Sequence, residues 1–228
     1  IWKMIINNLD QIMTLVAGRK VLIFDFDGVI ADSNDIKTEA FSELYKPFGS
    51  EIVNKVILHH KNNGGMSRFE KFKFYHRSYL GKVINQNQVD EMSATFSDIV
   101  LERVISAPEI NSAELFLKKS CKEKKFCSIN SATPEIEIQQ IIKLRQLDKY
   151  FSKVFGSPST KSENINKILE YCKSSSKEAL FFGDSESDLM AANKNKVDFI
   201  GVGKGILSSL ISSNEIYYHI DDFAKISK

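Results

Sequence analysis

Residues 21–28, VLIFDFDG, indicate the fold class, because four apolar residues are followed directly by a segment with two acids and a glycine. A short apolar run without polar alternation is typical of a parallel strand buried on both faces. Ligands of open parallel sheets bind beyond the carboxyl ends of the strands. We therefore predict that Asp25 and Asp27 reach a ligand site, and that Gly28 allows the turn after them. Taken alone, the same pattern also fits a surface turn whose acids cap the next segment.

The remainder of the chain indicates an α/β fold. Residues from about 33 to 107 carry apolar side chains three and four apart and contain no convincing strand, which predicts a helical module. After Pro108, helical segments alternate with short β-rich ones. We therefore predict a Rossmann-like doubly wound parallel sheet with an inserted α-helical domain. The five further predicted strands are KFCSIN (125–130), KVFGS (153–157), ALFFG (179–183), VDFIGVG (197–203) and EIYYHI (215–220).

Composition excludes several classes of protein. The 228 residues carry 31 basic and 29 acidic side chains, so the net charge of +2 indicates neither a nucleic-acid nor a membrane partner. No run approaches the roughly 20 apolar residues of a membrane helix. The three cysteines form no CxxC pair, which favours a reducing compartment, and we expect a cytoplasmic protein. Oligomeric state cannot be inferred from the sequence.

The N-terminal segment IWKMIINNLDQIMTLVAG, residues 1–18, is apolar but interrupted by polar side chains. It is too polar for a membrane-spanning helix or a signal sequence, so we predict an amphipathic helix. The chain begins at Ile1 rather than Met, which leaves the completeness of its N-terminus open.

A second pair of acids follows the strand ALFFG, where Asp184 and Asp188 are separated by one helical turn. Together with Asp25 they would supply the hard oxygen ligands that Mg²⁺ prefers. On its own, this pattern also fits Asp184 as a simple helix N-cap with Asp188 exposed.

Two further strand-end or helix-start features complete the candidate site. Ser131 and Ala132 follow the strand KFCSIN, and Pro134 is suited to starting a helix, so a hydroxyl and backbone N–H groups would form a phosphate cradle there. Capping of a helix over residues 134–145 by Ser131 or Thr133 is the alternative. Lys161 precedes or opens another helix, where a cation is unfavourable unless an anion lies nearby.

These four blocks, in this order, resemble the haloacid dehalogenase-like superfamily. The segments VLIFDFDGVIADS and FFGDSESDLMAA are similar to the corresponding motifs in one branch of this superfamily, the phosphoglycolate phosphatases and β-phosphoglucomutases. The resemblance implies a catalytic core formed by residues 1–33 and 107–228, and a mobile α-helical cap formed by residues 34–106. It also implies an enzyme that acts on a small phosphate monoester and uses Mg²⁺.

The resemblance further assigns roles to residues. Asp25 would be a transiently phosphorylated nucleophile, and Asp27 a general acid and base whose backbone carbonyl also binds the metal. The implied catalytic set is Asp25, Asp27, Ser131 and Lys161; the implied metal set is Asp25, Asp27, Asp184 and Asp188; the implied phosphate contacts are Gly28, Ser131, Ala132 and Lys161.

The predicted reaction is hydrolysis of a sugar phosphate or of a phosphorylated small acid. Family members that act as dehalogenases lack the second acid, so Asp27 argues against dehalogenation. A phosphosugar mutase is the alternative, although mutases of this branch carry a histidine where this chain has Lys37. A receiver-like signalling domain would need neither a cap nor a GDxxxD helix. A sugar-nucleotide transferase would need a nucleotide-binding unit before Asp25.

The segment NNGGMSRFEKFKFYHRSYLGK, residues 62–82, is the one part of the helical module that suggests substrate contacts. Arg68 and Lys71 share one helical face, and Arg68 lies near a helix start, so both are predicted to bind an anionic or sugar-like leaving group. A solvated basic face is the alternative. His59 and His60 point about 100° apart on a helix and are predicted to lie at the surface.

Overall fold

The computed structural model describes residues 5–6, 8–206 and 217–227. These ranges form a sheet of seven strands in the order β1-β7-β6-β5-β2-β3-β4, in which every neighbouring pair is parallel. The predicted fold class is confirmed. The strands are β1 (Ile5–Ile6), β2 (Val21–Phe24), β3 (Phe126–Pro134), β4 (Lys153–Ser157), β5 (Ala179–Gly183), β6 (Asp198–Val202) and β7 (Tyr217–Ile220).

The helices occupy the intervals between the strands. Four of them follow β2 in direct succession, over the stretch for which the sequence predicts a helical insert. The helices are α1 (Leu9–Ala17), α2 (Asn34–Tyr45), α3 (Ser50–Asn62), α4 (Arg68–Tyr79), α5 (Gln86–Ser106), α6 (Ala113–Lys122), α7 (Glu135–Leu144), α8 (Lys161–Cys172) and α9 (Glu186–Asn195). Each of these helices is too short or too polar to cross a bilayer.

Alternate side chains of the central strands bury two separate hydrophobic clusters, which is why the sheet is covered on both faces. From β2, Leu22 and Phe24 enter a cluster with α1, α6, α7 and the inserted helices. Val21 and Ile23 enter the other cluster, with α8 and α9. Both strand faces therefore need apolar residues, which explains the unbroken run VLIF.

The N-terminal prediction is partly wrong. Ile5 and Ile6 pair in parallel with β7 and extend the sheet, whereas the helix covers only Leu9–Ala17. Asn8 ends the extended part by accepting hydrogen bonds from the N–H groups of Asp10 and Gln11, which caps α1. Residues 1–4 and 7 lie outside the described residues. The strand β3 also runs on to Pro134, so α7 begins one residue later than predicted.

Arg145, directly after α7, holds the C-terminal end of α5, where the chain leaves the inserted helices. Its Nη1 donates to the carbonyls of Val104, Ile105 and Ala107 over 2.8, 2.9 and 2.8 Å. These carbonyls lie at the C-terminus of α5, where backbone acceptors lack helical partners and a positive charge is favourable. The division into a catalytic core and a cap domain stays a prediction.

An aromatic cluster beneath β2 yields the first testable prediction. Phe116 is buried against Phe24, Phe182 and Phe223, with ring centroids 6.2, 5.5 and 5.1 Å away. Phe116→Ala should lower the free energy of unfolding by about 3–5 kcal/mol, because it removes the ring and leaves a cavity. Leu115 is 52% exposed on the same helix. Leu115→Ala is therefore the matched control, and equal losses of stability in urea titrations would contradict this description of the core.

Candidate active site

The candidate site centres on Lys161, whose ammonium bridges two acids, one directly after β2 and one in the first turn of α9. Its Nζ lies 2.6 Å from Asp25 Oδ2 and 2.5 Å from Asp188 Oδ1. All three side chains are buried. The sequence-predicted blocks after β2, before α8 and after β5 therefore meet at one point.

Local structure explains how each of these groups arrives there. Asp25 follows β2 directly, and its N–H donates to the Phe182 carbonyl of β5 over 2.9 Å, which continues the sheet pairing. Lys161 is the first residue of α8, and Thr160 caps that helix together with Glu163. The helix N-terminus would repel an isolated ammonium, and the sequence therefore predicts an anion near Lys161. The carboxylates of Asp25 and Asp188 are these anions.

Asp188 is held in place by the start of α9. Ser185 is the N-cap, and its N–H and hydroxyl donate to Asp188 Oδ2 over 3.2 and 2.5 Å. Asp188 is fully buried, so the alternative of an exposed side chain is wrong. Asp184 is not the N-cap; its Oδ2 accepts instead from Asn34 Nδ2 over 2.7 Å.

Three of the acids are arranged as metal ligands. One carboxylate oxygen each from Asp25, Asp184 and Asp188 lies within 4.8 Å of the others. Hard carboxylate oxygens suit Mg²⁺, which is usually held by one or two carboxylates with waters and substrate phosphate. The Asp27 side chain lies outside this group. The donor set therefore fits the predicted cation.

Burial dominates the electrostatics of these acids. It raises the pKa of Asp25 well above its usual range; Lys161 opposes this shift, and the neighbouring acids add to it. Burial and the charge of Asp188 raise the pKa of Asp184 to about 7. Burial alone would lower the pKa of Lys161, but Asp188 and Asp25 outweigh it and raise that pKa. Carboxylates brought together in this way favour the presence of a further cation.

Asp27 points to a different set of partners. Its Oδ2 accepts from Lys37 and, over 3.3 Å, from Thr133 Oγ1, while its Oδ1 accepts from Ser33 Oγ over 2.6 Å. Burial alone would raise the pKa of Asp27, but the Lys37 ammonium and the hydrogen bonds from Lys37 and Ser33 lower it. The Asp27 side chain is thus hydrogen-bonded to Lys37, Ser33 and Thr133, whereas the Asp25 side chain is hydrogen-bonded to Lys161.

Gly28 occupies a position that no side chain could fill. Its φ is +75°, and a Cβ there would lie 2.0 Å from Asp184 Oδ2 and 2.4 Å from Asn34 Nδ2. Its N–H donates to the Ala31 carbonyl over 2.8 Å. Gly28 therefore permits the close approach of the two acid-bearing loops. Its N–H is used within the turn, and its predicted contact with phosphate stays a prediction.

The predicted phosphate cradle lies at the end of β3. Ser131 is buried, and its Oγ accepts from the Thr133 N–H over 3.1 Å, which leaves the hydroxyl proton to donate elsewhere. Ala132 is half-buried beside it. The alternative of a capping serine or threonine is wrong, because Pro134 precedes α7 and no side chain caps that helix.

Arg68 is placed differently from the prediction. Its guanidinium forms two hydrogen bonds with Glu137 of α7, 2.5 and 2.9 Å long, and a third with Ser97 of α5 over 2.8 Å. It also lies 4.5 Å from the centre of the Phe96 ring. Arg68 is 5% exposed, so neither a solvated basic face nor a free leaving-group contact describes it. It joins the inserted helices to the sheet domain.

Lys71 and His60 are buried together, which corrects the prediction of a surface His60. Lys71 is 1% exposed, and its Nζ lies 2.8 Å from His60 Nδ1. Burial, with the charges of Lys71 and Lys37, lowers the pKa of His60 to about 2, so the ring is neutral and Nδ1 accepts. His59 is half-buried, with Nδ1 3.3 Å from the Tyr75 hydroxyl.

Several residues of the site were missed or undervalued in the sequence. The sequence identified Lys37 only as the residue that replaces a histidine of the mutases. Asn34 and Lys37 lie three residues apart on α2; Asn34 donates a hydrogen bond to Asp184, and Lys37 donates one to Asp27. That spacing, directly after the DxDG turn, was an available signal. No comparable signal pointed to Glu137, because its partner Arg68 lies 69 residues away.

Comparison with known proteins agrees with this geometry. The family described as haloacid dehalogenase-like hydrolase matches residues 22–202. Phosphoglycolate phosphatase of Pasteurella multocida is 22% identical, over 91% of this chain and 96% of that protein. A hydrolase from Pseudomonas syringae has a TM-score of 0.73 at 19% identity, over 92% of this chain and 95% of the other. β-Phosphoglucomutase from Clostridium difficile has a TM-score of 0.72 at 15% identity, over 90% and 91%.

The family match covers most of the chain, including the strand ends that carry Asp25, Ser131 and Asp184 and the helix start at Lys161. The two structural likenesses lie below 25% identity and therefore concern the fold alone. By its sequence and its fold, the chain belongs to the haloacid dehalogenase-like hydrolase family.

Proposed function

We propose that the protein is a Mg²⁺-dependent phosphatase that hydrolyses a small phosphate monoester through an aspartyl-phosphate on Asp25. The observation that carries the proposal is the Lys161 bridge, which brings Asp25 and Asp188 together beside Asp184. A phosphoryl group bound there would meet Asp25 as the nucleophile, the fixed Lys161 ammonium, and the carboxylates of Asp184 and Asp188, which could hold Mg²⁺ together with Asp25. Phosphoryl transfer depends chiefly on such positioning and charge stabilisation.

Asp25 would attack phosphorus in line and displace the leaving alcohol, which divides one difficult hydrolysis into two displacements. Bound by Asp25, Asp184 and Asp188, Mg²⁺ would supply positive charge against the phosphoryl oxygens. Lys161 fixes the Asp25 carboxylate and adds a second positive charge. The Ser131 hydroxyl, and backbone N–H groups near Ala132, would donate to the transferred group.

Asp27 would carry the protons of both steps. It would protonate the leaving oxygen and then accept a proton from the water that attacks the aspartyl-phosphate. Lys37, Ser33 and Thr133 hold its carboxyl group two residues from the nucleophile. The Lys37 ammonium lowers the pKa of Asp27 and favours the carboxylate, which accepts the proton from water in the second step; the first step uses the protonated form, which the same charge disfavours.

We also propose that residues 34–106 act as a cap over a core formed by residues 1–33 and 107–228. Support comes from the succession of α2–α5 between β2 and α6, and from contacts of α4 and of the α3–α4 loop with α7 and α9. A cap of this kind would exclude water during the first step and select the leaving group. The three free cysteines support a cytoplasmic location.

Hydrolysis is favoured over a mutase reaction by two observations. The Pasteurella multocida relative is named as a phosphatase. Lys37 also binds Asp27 at the position where, according to the resemblance, mutases carry a histidine. The β-phosphoglucomutase from Clostridium difficile shares the fold, which does not distinguish the two reactions. With glucose 1-phosphate and Mg²⁺, we expect free phosphate rather than the 6-phosphate isomer; accumulation of the isomer would favour the mutase.

The nucleophile is tested by a matched pair of variants. Asp25→Asn should lower the turnover of p-nitrophenyl phosphate by at least about 10³-fold, because the amide is a poor nucleophile and no longer attracts Lys161. Asp32 is exposed in the same loop and serves as the control in Asp32→Asn. Steady-state rates with Mg²⁺ provide the measurement. Turnover by Asp25→Asn equal to that of Asp32→Asn would exclude Asp25 as the nucleophile.

The metal site is tested by titration with Mg²⁺. Removing divalent cations should abolish turnover, and Mg²⁺ should restore it. Asp184→Asn should raise the Mg²⁺ concentration for half-maximal activity by roughly 10- to 100-fold, because it removes one charged oxygen of the group. Glu186 is exposed two residues away, and Glu186→Gln is the control. Full activity in the presence of a chelator would refute Mg²⁺ dependence.

A further inference from the structure

The three acids that fit a metal ion, Asp25, Asp184 and Asp188, are held in two different ways. Asp25 and Asp188 both accept from the Lys161 ammonium, over 2.6 and 2.5 Å. Asp188 Oδ2 accepts in addition from the N–H and the hydroxyl of Ser185, at the start of α9. Donors of the sheet domain therefore orient two of the three carboxylates.

The Asp184 carboxylate is oriented from the inserted helices instead. Its Oδ2 accepts from Asn34 Nδ2 over 2.7 Å, and among the described residues this is the one hydrogen bond that the Asp184 side chain receives. Asn34 is the first residue of α2, and α2 is the first of the four helices between β2 and α6. One acid of the metal group thus depends on a donor outside the sheet domain.

The start of α2 binds the acids of the site rather than capping its own backbone. Ser33 is the N-cap residue of α2, but its side chain makes no capping hydrogen bond. A serine at this position normally accepts from an unpaired N–H of the first turn. The Ser33 hydroxyl instead donates to Asp27 Oδ1 over 2.6 Å, and the Lys37 ammonium donates to Asp27 Oδ2. The first turn of α2 therefore contacts the acids that follow both β2 and β5.

Gly28 leaves the space in which Asn34 and Asp184 meet. A Cβ at this position would lie 2.4 Å from Asn34 Nδ2 and 2.0 Å from Asp184 Oδ2, which is too close for any side chain. Thr38 Oγ1 donates to the backbone carbonyl of Asn34 over 3.0 Å, one turn further along α2. The turn after β2, the start of α2 and the loop after β5 therefore converge on one hydrogen bond.

We propose that Asn34 is a positioning residue of the metal site, whose amide holds the Asp184 carboxylate for Mg²⁺ and thereby couples Mg²⁺ binding to the inserted helices. The inference rests on the proposed Mg²⁺-dependent function. An aspartate side chain without a donor rotates more freely, and fixing it on metal binding would lower the affinity. Groups that hydrogen bond to metal ligands change metal affinity by roughly 10- to 100-fold when they are replaced. Asn34 acts through Asp184 and is not itself a ligand.

Calorimetric titration with Mg²⁺ in the absence of substrate tests this role. Asn34→Leu removes the donor at nearly constant volume, and it should raise the dissociation constant for Mg²⁺ by about 10-fold. Asn34→Gln retains an amide donor and should recover part of the affinity. Because Asn34 is exposed, we expect both variants to fold as the wild-type protein does. Equal dissociation constants for wild-type and Asn34→Leu protein would overturn the inference.

Asn87 provides the matched control. It is exposed in the first turn of α5, another of the inserted helices, so Asn87→Leu makes the same chemical change away from the acids. Its affinity for Mg²⁺ should equal that of the wild-type protein. A loss of affinity in Asn87→Leu as large as that in Asn34→Leu would show a general effect of the substitution and would also overturn the inference.

Hydrogen exchange distinguishes coupling from a merely structural contact. Saturating Mg²⁺ should slow amide exchange in the first two turns of α2 by at least about 3-fold in the wild-type protein, because the cation fixes Asp184 and Asp184 holds Asn34. The same amides should exchange equally fast with and without Mg²⁺ in Asn34→Leu. Slowing by Mg²⁺ that is the same in both proteins would show that the hydrogen bond does not transmit metal binding to α2.

Neither measurement requires turnover, which separates the inference from the proposed reaction. Lower Mg²⁺ affinity of Asn34→Leu would support the role of Asn34 even if wild-type protein failed to hydrolyse p-nitrophenyl phosphate. Equal affinities together with an active wild-type enzyme would overturn the role of Asn34 and leave the phosphatase proposal intact. A wild-type protein that bound no Mg²⁺ would overturn both.

Discussion

The arrangement of the site follows from the contact between the Lys161 ammonium and two carboxylates, one directly after β2 and one in the first turn of α9, which meet at the same edge of the sheet. Asp25 and Asp188 are both buried, and burial raises the pKa of Asp25 well above its usual range. Lys161 bridges them at 2.6 and 2.5 Å and keeps them as hydrogen-bond acceptors. The order of β2 and β5 as neighbours, and the start of α8 above them, are what make this contact geometrically available.

The same requirement explains the other charged contacts between the inserted helices and the sheet domain. Lys37 compensates Asp27, and Arg68 compensates Glu137, so each buried charge on one side meets an opposite charge on the other. Such pairs contribute little net stability, because desolvation offsets much of the attraction. They instead specify one arrangement, since any other would leave a charge buried and unpaired. Lys71 departs from this rule: its Nζ contacts the neutral Nδ1 of His60, and burial lowers the pKa of Lys71 to about 7.

The sequence predicted the fold well because its strongest signals were local. Unbroken apolar runs ending in acids marked β2 and β5, and each acid followed its strand directly. The strand Ile5–Ile6 was missed because two residues show no periodicity, and their partner lies more than 200 positions away. His60 was placed at the surface because its burial depends on the packing of α2, α3 and α4, which no local pattern encodes.

Contacts between distant segments also decide which basic residues are paired with an acid. On a helical wheel Arg68 and Lys71 are equivalent, since both lie on one face of α4 and both are cations. The structure separates them through Glu137, whose carboxylate accepts two hydrogen bonds from Arg68 and leaves none for Lys71. Periodicity locates a face of a helix, but the counter-charges opposite that face determine which side chain is neutralised. In this protein the acids at the strand ends therefore follow from local sequence, whereas the pairing along α4 follows from the position of Glu137 on a distant helix.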